Sequence, residues 1–326
     1  MTPAVVVLGS IVLFWAAFIA VVAVPTSTIT DQPSGLWRRL TPAEERGRQL
    51  YIANGCTYCH SQYVRSQDWD LGAQRIAQPG DYIAQQPPLL GSERTGPDLS
   101  QEGGEHPDDW HAAHFHNPRF TSPASVMPQF GEYAKPQVAD LTAYVQSLGG
   151  TDADYRVARQ DEWKPRAAQA YKTGPDANVA WLHAHVSAVW RPMPNPYPPT
   201  EAALARGERV YQLYCINCHG PSGDGRGLAQ PFLDPPPLNF ATLRRNLVEG
   251  KYIGGILYYQ IMNGISGTAM PYFKVQLESA RIWDVSNYVA YNFVGWVDFQ
   301  LSTEDIKAAY EGAPPAPLPA AGSTAP

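Results

Sequence analysis

All four cysteines of this 326-residue chain fall in two copies of one motif, Cys56-Thr57-Tyr58-Cys59-His60 and Cys215-Ile216-Asn217-Cys218-His219. Cys-x-x-Cys-His is the attachment signature of c-type haem: each thiol adds to a porphyrin vinyl group and the adjacent histidine reaches the iron. Two complete copies predict two covalently attached haem c groups, on Cys56, Cys59, Cys215 and Cys218, with His60 and His219 as proximal metal ligands. A thioredoxin-like redox pair wants a strand before the motif and a helix after it, whereas each motif here ends an amphipathic helical stretch. A zinc site built from both pairs would leave the two adjacent histidines unexplained.

The second axial ligand of an electron-transfer haem c is usually methionine. Of the chain's five methionines, Met1 is the first residue, Met262 lies in an apolar helical stretch and Met193 in a proline-rich run. The other two occur in matching contexts, Ser125-Val126-Met127-Pro128 and Thr268-Ala269-Met270-Pro271. The following proline biases each toward extended backbone. Both lie downstream of a haem motif and upstream of a final amphipathic helix, so Met127 and Met270 are the expected distal ligands.

Residues 4–25 carry no charge. As a helix they reach about 33 Å, enough for the hydrocarbon core of a bilayer. A cleaved signal peptide is the competing reading, but a basic leading region is missing and the apolar run is long for one. Residues 1–28 are therefore expected to be a transmembrane anchor. Haem is attached on the outer side of energy-transducing membranes, which places the rest of the chain in the periplasm of a bacterial cytoplasmic membrane. Arg38 and Arg39 alone would argue the reverse orientation, and the haem requirement outweighs them. The formal net charge of −6 gives no footprint for nucleic acid.

An internal repeat sets the domain plan. Arg46-Gly47-Arg48-Gln49-Leu50-Tyr51 precedes Cys56, and Arg206-Gly207-Glu208-Arg209-Val210-Tyr211 precedes Cys215. Thr41-Pro42-Ala43-Glu44 reads as a capping box with proline at the first helical position. Each unit closes with a further helix, around Val138–Val145 and Val285–Tyr291. The fold class is thus mainly α: an anchor, a cytochrome c-like domain over 41–150, a connector over 151–199, a second such domain over 200–298 and a disordered tail over 299–326. In that arrangement the first and last helices of each unit cross closely at Gly47 and Gly207, with Tyr51 and Tyr211 packing on Tyr144 and Tyr288. The connector is expected to form a short helix near Trp181–Val186 and to dock through its aromatic residues. His106, His111, His114 and His116 cluster beside Asp108 and Asp109. A metal site is one reading; hydrogen bonding around the first haem is the better one.

Several ordered motifs carry a family resemblance. Gly55-Cys56-Thr57-Tyr58-Cys59-His60-Ser61-Gln62-Tyr63-Val64-Arg65, Arg94-Thr95-Gly96-Pro97-Asp98-Leu99, Asp109-Trp110-His111-Ala112-Ala113-His114, Asn117-Pro118-Arg119 and Ser125-Val126-Met127-Pro128 resemble the mono-haem subunit of cbb-type cytochrome c oxidases, over roughly residues 1–148. The resemblance implies that His60 and Met127 ligate the first iron. It implies that the Pro97 carbonyl accepts the other His60 ring proton, and that Arg94 and Arg119 pair with haem propionates. The second unit is similar to haem domains of the di-haem subunit of the same oxidases or to soluble cytochromes c, with Pro237 as the counterpart of Pro97. That family ends after one haem domain, and here a second is fused.

The chain is accordingly expected to pass electrons from a soluble donor, such as a cytochrome c or cupredoxin, to a membrane-embedded catalytic subunit of a haem–copper oxidase-type complex. A nitric oxide reductase-like complex is the near alternative. A di-haem peroxidase is the alternative of another class, and it requires one iron with an open sixth position.

Overall fold

A computed structural model describes residues 2–295 of the protein other than 29–31, 67, 69–74, 92, 192, 194, 198 and 245–253. The expected tail, 299–326, lies outside the described residues. Those residues contain helices, turns and loops and no strand; the single β-bridge joins Gly103 to His106.

Helix α1, Pro3–Thr28, is uninterrupted apart from a π-helical turn at Ile19–Ala23, and none of its residues is buried. It is long and apolar enough to cross a membrane. The Thr26 and Thr28 hydroxyls donate to the Val22 and Val24 carbonyls within the helix.

The first unit begins at α2, Pro42–Ala53, where Thr41 and Glu44 form the reciprocal capping box. It closes with α4, Lys135–Gln146, after α3, Asp108–His116. Helices α2 and α4 cross at backbone contact. A Cβ placed on Gly47 would lie 1.9 Å from the Asp140 carbonyl oxygen and 2.8 Å from Tyr144 Cβ. The Tyr51 and Tyr144 rings meet edge to face at 5.3 Å, both fully buried. Arg46 clamps the outer side of the crossing through two bonds to Asp140, at 2.8 and 2.6 Å.

The second unit repeats each part. Helix α7, Glu201–Tyr214, is capped by Thr200 and followed by the short α8, Ile216–His219, and α10, Ser279–Val289, crosses α7. A Cβ on Gly207 would lie 2.2 Å from the Asp284 carbonyl oxygen and 2.8 Å from Tyr288 Cβ. Tyr211 and Tyr288 pack at 5.5 Å, and Arg206 holds Asp284 at 2.7 and 2.9 Å. Helix α9, Gly254–Asn263, adds Ile256, Leu257, Tyr258 and Ile261 to the core of this unit.

The connector differs from its expected form. Instead of one short helix it forms α5, Gly150–Thr173, and α6, Pro175–Ala184. Only Ala153 and Ala167 of α5 are buried, so the apolar stripe that announces a helix is nearly absent, and Pro165 inside it argues locally against one. Tertiary bonds hold α5 instead. Arg38 bridges Asp154 and Glu44, Arg156 donates to the Gly103 and Gln101 carbonyls, and Lys164 pairs with Asp109 at 2.9 Å. Farther along, Gln160 accepts from the Gly267 amide of the second unit at 2.8 Å. Helix α6 then contributes Val179 and Leu182, and its following turn Val186, to buried positions in the second unit. The connector is a strap bound to both units.

Replacing Gly47 with Ala forces the α2–α4 crossing apart, and overpacking of this kind costs roughly 1–3 kcal/mol. Denaturant midpoints should fall accordingly, whereas Gly35→Ala, with nothing within 4 Å of the added carbon, should leave them nearly unchanged.

Candidate functional site

In the first unit, α2 delivers the chain to Asn54 and then to Gly55, whose φ of +65° turns the backbone into the Cys56–Tyr58 turn. The His60 amide closes that turn onto the Cys56 carbonyl at 2.9 Å. His60 Nδ1 lies 2.9 Å from the Pro97 carbonyl oxygen. Donation there leaves Nε2 as the ligating nitrogen, as in other histidine sites ordered by a partner behind the ring. Gly96 makes room for the imidazole, since a Cβ at that position would lie 2.3 Å from His60 Cε1. The Gly96 amide bonds the Cys59 carbonyl, and the Leu99 amide bonds Ser61.

Arg94 ties this loop together. Its guanidinium donates to Ser61 Oγ at 2.7 Å, the Tyr63 carbonyl at 2.8 Å and Asp68 at 3.0 Å. Asp68 is held well below the ordinary carboxylate range by its bonds from Arg65 first and Arg94 second. The Arg119 guanidinium donates to Asn117 Oδ1 and to the Ser125 and Met127 carbonyls. Met127, Cys56 and Leu99 pack on the buried cluster of Tyr51, Leu89, Phe115, Leu141 and Tyr144.

The second unit encloses a cavity between α6, α7, α9 and α10. Cys215, Cys218, His219 and Met270 line it, among otherwise mainly apolar walls. Burial holds the His219 pKa down to about 4, which keeps the imidazole in its neutral, ligating form. Burial also pushes the Cys215 and Cys218 thiols up to about 12, so neither is an activated thiolate of the redox type. His219 Nδ1 faces the Leu238 carbonyl at 3.4 Å, and the ring stacks on Phe240 at 4.5 Å. The acceptor is thus Leu238 and not Pro237. The Pro237 carbonyl is turned toward Gly225, where an added Cβ would approach it to 2.3 Å. These donors and walls fit haem c.

The two methionine segments share a turn that the motifs alone do not reveal. The Met127 amide donates to Ser125 Oγ and the Met270 amide to Thr268 Oγ1, each at 3.2 Å. Met193 and Met262 do not line the second cavity; the Met193 backbone packs against Gly255 of α9, and Met262 leans on the core. Sequence reasoning missed Asn178 and Leu182 of α6 as cavity walls. Their approximate helical spacing was readable, but their target was not.

His106, just ahead of α3, and His114 within it form a column with Trp110. Trp110 stacks on His106 at 3.8 Å and on His114 at 4.7 Å. His106 Nδ1 pairs with Glu102 at 2.7 Å, and His114 Nδ1 meets Thr121 Oγ1 at 2.6 Å. Among the described residues no three His, Cys, Asp or Glu side chains converge as a metal site.

Two helical units, each with its first and last helices crossed at a glycine and a Cys-x-x-Cys-His turn at the end of the first, define a c-type cytochrome that binds haem c. Residues 1–183 match the family "Cytochrome C oxidase, mono-heme subunit/FixO" and residues 202–289 match "Cytochrome C oxidase, cbb3-type, subunit III". The chain belongs to the mono-haem oxidase subunit family, with a second cytochrome c domain fused to it. No curated protein sequence matches it. A chain of a Kuenenia stuttgartiensis reducing HAO-like protein complex aligns with 18% identity over 79% of this chain and 99% of that one, at a TM-score of 0.26, a likeness too weak to carry structural argument.

Burial holds the His111 pKa from its ordinary 6.5 down to about 4, against the opposing charge of Glu102. Below pH 6.5 the unfolded ring takes a proton that the folded ring refuses. Its stabilising share is therefore complete above pH 6.5 and is lost as pH falls toward 4, by about 2 kcal/mol between pH 7 and 5. Urea midpoints of wild type should drop over that interval, and His111→Phe should flatten the drop. At the second site, the expected ligation by Met270 is checked by Met270→Ala, which should let carbon monoxide bind the haem-loaded protein and lower the midpoint potential, because thioether ligation raises it. Met193→Ala should do neither.

Proposed function

We propose that the chain is a membrane-anchored di-haem cytochrome c that serves as an electron-transfer subunit of a haem–copper oxidase-type respiratory complex in a bacterial cytoplasmic membrane. The observation that carries this reading is the fusion itself: the oxidase mono-haem subunit family over 1–183, followed by an oxidase subunit III-type domain over 202–289. Haem c supplies a one-electron iron couple that no side chain offers. Cys56, Cys59, His60 and Met127 would hold one group, and Cys215, Cys218, His219 and Met270 the other.

The polypeptide contributes position and environment. The Pro97 and Leu238 carbonyls orient the proximal imidazoles, and apolar walls keep water from the second cavity. Those are the levers by which a protein sets haem potential. Helix α1 anchors the chain, and both units lie on the periplasmic side, where haem is attached. The first unit follows the anchor directly and carries the oxidase motifs, so it faces the membrane-embedded catalytic subunit. The second unit, beyond the strap, faces a soluble donor such as a cytochrome c or cupredoxin.

Under this reading the two sites work in series. Replacing His219 should abolish turnover driven by a soluble cytochrome, while a small reductant that reaches the first site still supports it. Replacing His60 should abolish both. Donor-driven turnover that survives loss of His219 would make the second unit a side branch.

A further inference from the structure

The seam between the two units runs through both sites. Ala113, Ala229, Leu233 and Ala269 are buried together, with Trp110, Phe120, Phe232 and Cys218 packed around them. Phe232 of the second unit stands 4.8 Å from the His116 ring and 6.0 Å from Phe120. Ala269 and Cys218 adjoin or line the second cavity, and Phe120 begins the segment that leads to Met127. Asp109 accepts from the Asp234 amide at 3.0 Å, and Tyr272 donates to Glu105 at 2.7 Å.

One chain of bonds crosses this seam and joins the two sites. Asn217 lies inside the second attachment motif, between its cysteines, and its side-chain amide donates to the Arg119 carbonyl. The Arg119 guanidinium donates onward to the Ser125 carbonyl at 2.9 Å and the Met127 carbonyl at 3.1 Å. Asn217 is clamped from behind: its carbonyl accepts from the Ala229 amide at 2.8 Å, and a Cβ on Gly227 would lie 2.2 Å from that oxygen. Arg119 is also fixed at its near end, where its amide and Nε both donate to Asn117 Oδ1 at 3.1 Å. A planar guanidinium holds several acceptors in one fixed fork, which a lysine cannot do.

We infer that Arg119 is a positioning residue that couples the sites: seating of the second haem motif on its carbonyl, through Asn217, fixes the segment that presents Met127 as the first site's axial ligand. This rests on the reading of Met127 as that ligand. The bond from Asn217 would thereby restrain the segment that carries Met127, and its loss would loosen that segment. The two potentials are linked through the polypeptide in addition to any direct interaction between the bound groups.

The test uses the full-length, haem-loaded protein in detergent, without partner subunits. Proton NMR of the protein resolves the methyl signal of each ligated methionine, assigned by its loss in Met127→Ala and Met270→Ala, and potentiometry gives the two midpoints. Asn217→Ala should shift and broaden the Met127 signal and lower the first-site midpoint, with the Met270 signal in place. Asn217→Asp, which sets a carboxylate against the Arg119 carbonyl, should do so more strongly. Arg119→Lys should resemble Asn217→Ala. Gln160→Ala loosens the seam elsewhere, by removing the bond to the Gly267 amide, and should leave the Met127 signal unmoved. An unchanged Met127 signal in both Asn217 variants overturns the coupling while leaving the electron-transfer reading intact. An equal effect from Gln160→Ala also overturns it, by making docking in general the cause. Absence of a Met127 signal in wild type would overturn the ligand assignment and the coupling together.

Discussion

Everything else in each unit is placed by a helix crossing at backbone distance. Gly47 under the Asp140 carbonyl and Gly207 under the Asp284 carbonyl let two helices approach closer than any side chain permits. The contact is made a second time by a packed tyrosine pair and a third time by an arginine–aspartate clamp, Arg46–Asp140 and Arg206–Asp284. The Arg46–Asp140 clamp is screened by water, because Arg46 is largely exposed, whereas Asp284 of the second clamp is buried. Their consistency with the glycine and the tyrosine is what specifies one register. Because the attachment motif begins where the first helix ends, fixing the crossing fixes the two thiols and the imidazole against the core.

The units are then joined by something stronger than a linker. Without α5 and α6 the second cavity would lack Asn178 and Leu182 from its wall and Val179 from its core. Helix α5 has almost no buried apolar surface of its own, so its stability comes from arginine, lysine and glutamine bonds to loops on both sides. A polar strap is reasonable where the seam already buries Ala113, Ala229 and Ala269. Small side chains there bring backbones together, and the strap fixes the angle at which they meet. The oxidase family match runs to residue 183, through α5 and nearly all of α6, so the segment that reads as a connector is continuous with the first unit by sequence and with the second by packing.

That division also marks what the sequence makes legible. The motifs, the repeated Arg-Gly pair, the capping box at Thr41 and the apolar N-terminal helix are all local signals. Each survives into the structure because the physics behind it is local: a helix start, a small residue, a charge-free span. The matched Met-Pro contexts were visible too, although the Ser125 and Thr268 hydroxyl turns behind them were not singled out. Helix α5 was hidden because its determinants are long-range, from Arg38 to Asp154 and from Gln160 to Gly267. The shift from Pro237 to Leu238 behind His219 was hidden because a one-residue difference in a proline run depends on where Gly225 lets the backbone pass. Arg94 and Arg119, read as propionate partners by resemblance, make their described bonds to the loops that carry His60 and Met127.

Those two arginines bear on the choice between electron carrier and peroxidase. A peroxidase site needs an iron whose sixth position can open, which calls for a distal segment free to move. Here the opposite is built. Met127 is bonded at its amide by Ser125 and at its carbonyl by Arg119, and the same arginine is bonded to Asn117 and approached by Asn217. Met270 is bonded at its amide by Thr268, its carbonyl accepts from the Ile265 amide at 3.2 Å, and Tyr272 two residues on is held by Glu105. Each distal segment is thus restrained on both sides of the sulfur-bearing residue. Restraint of that kind lowers the reorganisation that accompanies a one-electron change and opposes ligand exchange. Such restraint suits a carrier, and in this chain the bonds around Met127 are continuous, through Arg119 and Asn217, with the second Cys-x-x-Cys-His turn.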